Sequence, residues 1–372
     1  RLAWIEWSRP DQPWTATRLM VAERQDQASF GAPRCVAGDA GEESLQQPRF
    51  DQGGRLYCLT DRNGFWQPWA ESADGLSALA SAAADHGPAP WQLGGSTWLP
   101  LGGENYLASW TEGGFGRLEI RGDVTEDFTG DYTRFRSLAM DAQCIYCIAA
   151  SPISSAAVIA IDRSTGAVKT LAGGIAPLPA EQVSRPQTLR YPSGSGEAHG
   201  FFYPAMTGEA KPPLVVFIHG GPTSACYPML DPRIQYWAQR GFAVADLNYR
   251  GSSGYGREYR QALHLSWGDV DVEDACAVVT YLAERGMIDG EKAFIRGGSA
   301  GGYTTLCALA FHKVFRAGAS LYGVSDPVAL ARATHKFEGD YLDWLIGDPQ
   351  QDAERYAART PLLHAKNISV PV

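Results

Sequence analysis

A serine framed by glycines is the residue pattern in this chain best suited to nucleophilic chemistry. In Gly297-Gly298-Ser299-Ala300-Gly301-Gly302, glycine stands two positions before and two positions after the hydroxyl. A sharp strand-to-helix turn needs that spacing, because larger side chains there would collide with the turn. The string alone is weak in a chain with 41 glycines, where a plain loop would explain it. Its flanks make it informative: Ala293-Phe294-Ile295 reads as a buried strand and residues 300–311 as a helix. A serine held this way can attack a carbonyl carbon, and the oxyanion that forms needs N–H donors close by. A second glycine turn, Gly220-Gly221, follows the apolar run 214–218 and could supply one. The candidate oxyanion donors are the amides of Gly221 and of Ala300, with His219 as a supporting residue. A simple tight turn over a packed His219 is the alternative.

These residues need a frame. The runs Leu214-Val215-Val216-Phe217-Ile218, Ala243-Val244-Ala245-Asp246-Leu247 and Ala293-Phe294-Ile295 are short and apolar, as strands buried on both faces are. Helical stretches separate them, most clearly 271–285, where Val272, Ala275, Val278, Val279 and Leu282 share one side. This βαβ alternation predicts a mostly parallel, doubly wound sheet with helices on both faces over residues 179–372, and the serine elbow within it suggests the α/β-hydrolase layout. Residues 1–178 read differently, as short strands with turn signals in four units at 2–21, 47–71, 98–120 and 135–171. The spacing matches β-propeller blades, which repeat every ~40–50 residues, so a partial propeller is expected; a β-sandwich is the rival arrangement. Between 173 and 192 the composition shifts to Pro, Ala and Gly, as in a connection between domains.

Composition narrows the function classes. The net charge of -9 comes from dispersed Asp and Glu with no basic stripe, which argues against nucleic acid or an anionic membrane as partner. No stretch reaches the roughly 18 apolar residues of a membrane helix. The seven cysteines are scattered and odd in number, and suggest free thiols in a reducing, cytoplasmic setting. Cys144 and Cys147, three apart on an expected strand, point to opposite faces and read as core thiols rather than metal ligands. No phosphate-cradling loop or ligand cluster is visible, so no metal, nucleotide or flavin is expected; Gly251 to Gly256 precedes no dinucleotide-type helix start. A homo-oligomer is compatible with the composition.

Three motifs in order, His219-Gly220-Gly221-Pro222, then Asn248-Tyr249-Arg250-Gly251-Ser252-Ser253-Gly254-Tyr255-Gly256 with Trp267-Gly268 and Asp274, and finally Gly297-Gly298-Ser299-Ala300-Gly301-Gly302, resemble the catalytic domain of the prolyl oligopeptidase family of serine peptidases. The likeness spans roughly residues 180–372 and favours the acylaminoacyl-peptidase and dipeptidyl-peptidase branches. It implies a propeller before the hydrolase domain, an acyl-enzyme on Ser299, and short peptides or N-terminally modified or aminoacyl compounds as substrates. Some branches donate to the oxyanion from a tyrosine at the position held here by His219, so this chain departs from them. An esterase or amidase for small acyl compounds, and a catalytically dead binding protein, are the rival readings.

In the hydrolase order Asp and then His follow the serine. Residues 368–372 resemble the strand that precedes the acid, so the triad Asp and His are expected beyond Val372, and both ends of the sequence read as cut. Inside the chain, His312 lies about 18 Å along the helix from Ala300, too far for a base. His264, His335 and His364 read as solvated. Asp326, after an expected strand at 318–322, is a fallback acid. Tyr322 and Phe337, at an insertion over 327–361, are candidates to line the substrate pocket, with core packing as the alternative. Arg250 and Asp274 read as structural, the first tying loops and the second favouring a helix start.

Overall fold

The computed structural model describes residues 1–372 apart from 28 and 93. It divides into two compact units: Arg1–Ile175 with Gly254–Arg257, and Ala176–Ser253 with Glu258–Val372.

The first unit is a succession of four antiparallel meanders. The first holds β1 (Leu2–Glu6), β2 (Arg18–Ala22) and β3 (Arg34–Ala37). The second holds β4 (Leu45–Phe50), β5 (Leu56–Thr60), β6 (Gln67–Ser72) and β7 (Gly75–Ala78). The third holds β8 (Trp98–Gly102), β9 (Asn105–Glu112), β10 (Phe115–Arg121) and β11 (Glu126–Asp127), and the fourth β12 (Arg134–Met140), β13 (Cys144–Ala150), β14 (Ala157–Asp162) and β15 (Val168–Gly173). Within each sheet the strands pair in chain order, which is blade topology and excludes the Greek-key crossing of a sandwich. The hairpin turns have local causes. Between β14 and β15, Asp162 Oδ1 accepts from the N–H groups of Ser164 and Thr165, and Gly166 closes the turn at φ 71°. Apolar side chains of successive sheets pack together: Leu19, Val21, Leu45 and Leu56 form one core, and Leu107, Leu118, Ile145 and Ile159 another. Cys147 is buried and Cys144 half-buried, and both are free thiols.

Residues Gly254–Arg257, distant in sequence, belong to this unit. Asp85 Oδ2 accepts from the N–H groups of Gly254 and Gly256, and Arg257 Nη1 lies 2.9 Å from Oδ2 of the fully buried Asp61.

The second unit is built on one six-stranded sheet: β16 (Gln187–Ser193), β17 (Gly196–Tyr203), β18 (Leu214–Ile218), β19 (Ala243–Asn248), β20 (Ala293–Gly298) and β21 (Ala317–Leu321). The spatial order is β16-β17-β19-β18-β20-β21, with β19, β18, β20 and β21 parallel and the β16–β17 hairpin antiparallel at one edge. Each residue of the central β18 is buried, as its unbroken apolar run requires. The helices are α1 (Pro232–Ala238), α2 (Gly256–Gln261, begun by residues of the first unit), α3 (Val270–Glu284), α4 (Ala300–Phe311), α5 (Pro327–Ala333), α6 (Tyr341–Leu345) and α7 (Ala353–Ala358). The five apolar residues expected on one side of α3 are all buried. The N–H of Gly318 donates to the carbonyl of Pro371, which lays the segment expected as a strand at 368–372 beside β21.

Candidate functional site

Ser299 sits at the carboxyl end of β20, where parallel α/β sheets gather their reactive groups. It is exposed and adopts φ 55°, ψ -121°, a backbone conformation that disfavours any side chain. The glycines around it are explained by distance. A Cβ at Gly301 would lie 2.2 Å from the carbonyl oxygen of Ile218, and one at Gly297 would lie 2.2 Å from the carbonyl oxygen of Gly301. The first turn of α4 is thus pressed against the end of β18, and only glycine fits. Gly302 is as tight, since a Cβ there would stand 2.6 Å from Cα of Gly323. The N–H of Ser299 donates to the carbonyl of Leu321, fixing the elbow to β21.

The second glycine turn lies against this elbow. A Cβ built on Gly220 would be 3.5 Å from Cβ of Ser299, and Gly221 follows at φ 128°. His219 secures the turn from below. Its ring stacks on Tyr249 at 4.4 Å, its Nδ1 is 2.7 Å from the carbonyl of Gly220, and its Nε2 is 2.8 Å from Ser252 Oγ. A carbonyl only accepts, so Nδ1 carries the proton and Nε2 accepts from Ser252. Burial lowers the imidazole to about 4, against the pull of the Gly220 bond, so the ring is neutral and fully engaged. The Tyr249 hydroxyl lies 3.2 Å from the carbonyls of both His219 and Pro222, closing the bracket.

Other residues singled out from the sequence take definite places. Tyr322 stands at φ 43° and is 84% exposed, with its hydroxyl against Gly298, so it is no core residue. Phe337 lies half-buried in a short 3-10 turn, Lys336–Glu338, with its ring 6.5 Å from that of His335. Asp326, the fallback acid, caps a helix: its Oδ1 accepts from the N–H groups of Val328 and Ala329 at the start of α5. His312 ends α4, His264 stacks on Trp344, His335 faces Glu338, and His364 binds the carbonyl of Ala357. Among the described residues none of these histidines is hydrogen-bonded to Ser299. Arg250 is a tie, as its motif suggested: it lies 2.7 Å from Asp274 and 2.6 Å from Glu273, and its backbone N–H also donates to Asp274. No group of three or more His, Cys, Asp or Glu among the described residues could hold a metal ion.

The structure also brings in residues that sequence reading passed over. Thr304, in α4, donates to the buried carboxylate of Asp271 at 2.5 Å. Thr223, beside the glycine turn, is bound by the hydroxyl of Tyr341 from α6. The guanidinium of Arg359 reaches the carbonyls of Leu265 and Trp267 and the carboxylate of Asp269, while its own carbonyl accepts from Tyr303 of α4. Asp271 did leave a signal, an acidic residue on the apolar side of α3; the others are isolated polar residues with no spacing pattern.

Known proteins share this fold. Residues 228–372 match the prolyl oligopeptidase family. A dipeptidyl aminopeptidase BIII from Pseudoxanthomonas mexicana is 31% identical over 170 residues, 44% of this chain and 25% of that protein. A solved puromycin hydrolase is 35% identical with a TM-score of 0.93, over 99% of this chain and 58% of its own. A puromycin-hydrolyzing peptidase from Mycobacterium tuberculosis is 36% identical with a TM-score of 0.93, over 100% of this chain and 59% of its own. The present chain therefore spans a quarter of the curated relative and under three-fifths of either solved structure. A propeller-type first unit, an α/β-hydrolase second unit and a glycine-framed serine at the elbow between β20 and α4 thus accompany the likeness of residues 228–372 to the prolyl oligopeptidase family.

Proposed function

We propose that Ser299 is the nucleophile of a peptidase that works through an acyl-enzyme. The observation that carries this reading is the backbone of Ser299 itself, held at φ 55° with the start of α4 jammed against the end of β18. The Oγ attacks the substrate carbonyl carbon and gives up its proton to a general base. The oxyanion is met by the N–H groups of Ala300 and Gly221, the amide C–N bond breaks with a proton passing to the leaving amine, and water releases the acyl group. His219 is not that base, since both ring nitrogens are occupied.

The substrate class that fits best is a short peptide or aminoacyl amide. Support comes from the 35–36% identity to two proteins named for puromycin hydrolysis. The exposed ring of Tyr322, next to the elbow, offers an apolar surface to a side chain beside the bond that is cut. Seven free cysteines fit a reducing compartment.

A fluorophosphonate probe tests the nucleophile in the full protein. Labelling that disappears in Ser299→Ala is expected, and labelling that survives the substitution overturns the assignment. Puromycin, aminoacyl arylamides, N-acetylated peptides and nitrophenyl esters then separate the substrate classes. Turnover of esters with no turnover of any amide would replace the peptidase reading by that of an esterase.

A further inference from the structure

α4 begins without the device that ordinarily fixes a helix start. Its N-cap position is Ser299, whose side chain makes no capping bond, so the N–H groups of the first turn are left open. That openness suits oxyanion binding, but it removes an anchor from the turn that must hold Ala300 in place. Anchoring comes from the side instead. One turn along, Thr304 Oγ1 donates to Asp271 Oδ2 at 2.5 Å, while Asp271 Oδ1 accepts from the N–H of Gly268 at 2.7 Å. Asp271 and Thr304 are both fully buried. The same Thr304 hydroxyl is 3.2 Å from the carbonyl oxygen of Ala300, so its single proton has one acceptor on α3 and another on α4.

We propose that Asp271 and Thr304 form a latch between α3 and α4 that sets the position of the first turn of α4, and with it the Ala300 N–H, so that both are positioning residues for acyl transfer at Ser299. The proposal rests on the reading of Ser299 and Ala300 given above. An ionised Asp271 only accepts, so Thr304 gives its proton across to α3 and a charge-assisted bond draws the two helices together. A protonated Asp271 donates to Thr304 Oγ1, and the Thr304 proton turns to the carbonyl of Ala300. No hydrogen bond is lost, but the pull between helices drops to that of a neutral pair.

The exchange falls within reach of ordinary buffers. Burial raises Asp271 to about 6, opposed by the bonds from Thr304 and Gly268 and assisted by the nearby charge of Asp274. Tyr249 before α2, and Tyr303 and Cys307 on α4, are pushed upward by burial and remain neutral. Asp274 on α3 is paired with Arg250, and Asp269 with Arg359.

Nuclear magnetic resonance of protein labelled with 15N-alanine tests the latch without needing activity. The Ala300 N–H resonance is expected to shift with a midpoint near 6, and to stop doing so in Asp271→Asn, whose amide keeps both hydrogen bonds and has no proton to exchange. An Ala300 resonance that ignores pH in the parent protein, or that titrates equally in Asp271→Asn, overturns the proposal. Labelling kinetics supply the second arm. Thr304→Val is expected to slow fluorophosphonate labelling at saturating probe about tenfold, with half-saturation within about twofold, and Thr304→Ser to restore the rate. A Thr304→Val protein that labels at the parent rate while melting earlier also overturns it, by reducing the bond to a stability contact. If Thr304→Val does not fold, the Ala300 titration decides. Failure of the Ser299 reading shows separately, as labelling that persists in Ser299→Ala.

Discussion

Glycine at 301 is a steric requirement. The carbonyl oxygen of Ile218 occupies the space a methyl group would need, 2.2 Å from the Cβ position, and backbone cannot yield as a flexible side chain does. Gly301→Ala is therefore expected to lower stability by about 1–3 kcal/mol, and to displace α4 from the end of β18. Urea midpoints measure the first effect, and an unchanged midpoint would contradict the packing described. The pair of Arg250 and Asp274 makes a different demand. Asp274 is wholly buried and Arg250 is its cation, so Arg250→Met leaves a charge with no counterpart. A loss of about 3–5 kcal/mol is expected in the same measurement. Much of this was legible beforehand. Ser299, its glycines and the helix that follows can be recognised because each is forced by the same turn, and the spacing records that geometry. Tyr322 was visible as a candidate but not as an exposed one, since burial at the end of β21 depends on what packs against it.

At the level of elements, α3 and α4 carry a prediction about pH. Asp271 has its folded value raised to about 6, above the ~3.9 of an unfolded aspartate. The folded state consequently holds the extra proton between those values. The stabilisation this gives is complete below ~3.9 and lost as pH rises through about 6. Asp271→Asn, which has nothing to ionise, should gain stability relative to the parent on passing from pH 5 to pH 8. A difference in urea midpoint that stays constant over that interval would show that Asp271 does not change its proton there. Strand β18 was readable because a strand buried on both faces is apolar throughout, and β19 and β20 because each opens on a three-residue apolar run, Ala243 to Ala245 and Ala293 to Ile295. Strand β16 was not: its alternation of exposed and buried residues gives it the look of the strands of the first unit.

Across the whole molecule, the two halves of the sequence do not map one to one onto the two units. Gly254–Arg257 lies deep in the hydrolase half of the chain yet counts with the blades, where Arg257 neutralises the buried Asp61. No periodicity marks such a crossing, because only four residues take part and their partners are almost two hundred positions away. Arg257→Met should therefore destabilise the first unit by about 3–5 kcal/mol. Tryptophan fluorescence can read this selectively, since all but Trp237, Trp267 and Trp344 of the eleven tryptophans belong to that unit. A thermal transition in fluorescence that is the same in the variant would refute the role given to this pair. The four-blade division itself was legible, because each blade is a meander closed by Gly, Asp and Asn turns that recur at a regular interval.

The backbone at Ser299 has one more consequence. A left-handed conformation that a side chain tolerates poorly is one glycine adopts freely, at a difference of about 1–3 kcal/mol, and no capping bond would be lost by the exchange. Ser299→Gly should accordingly melt later than the parent while losing all reaction with the probe. The sturdier version of this molecule is a silent one.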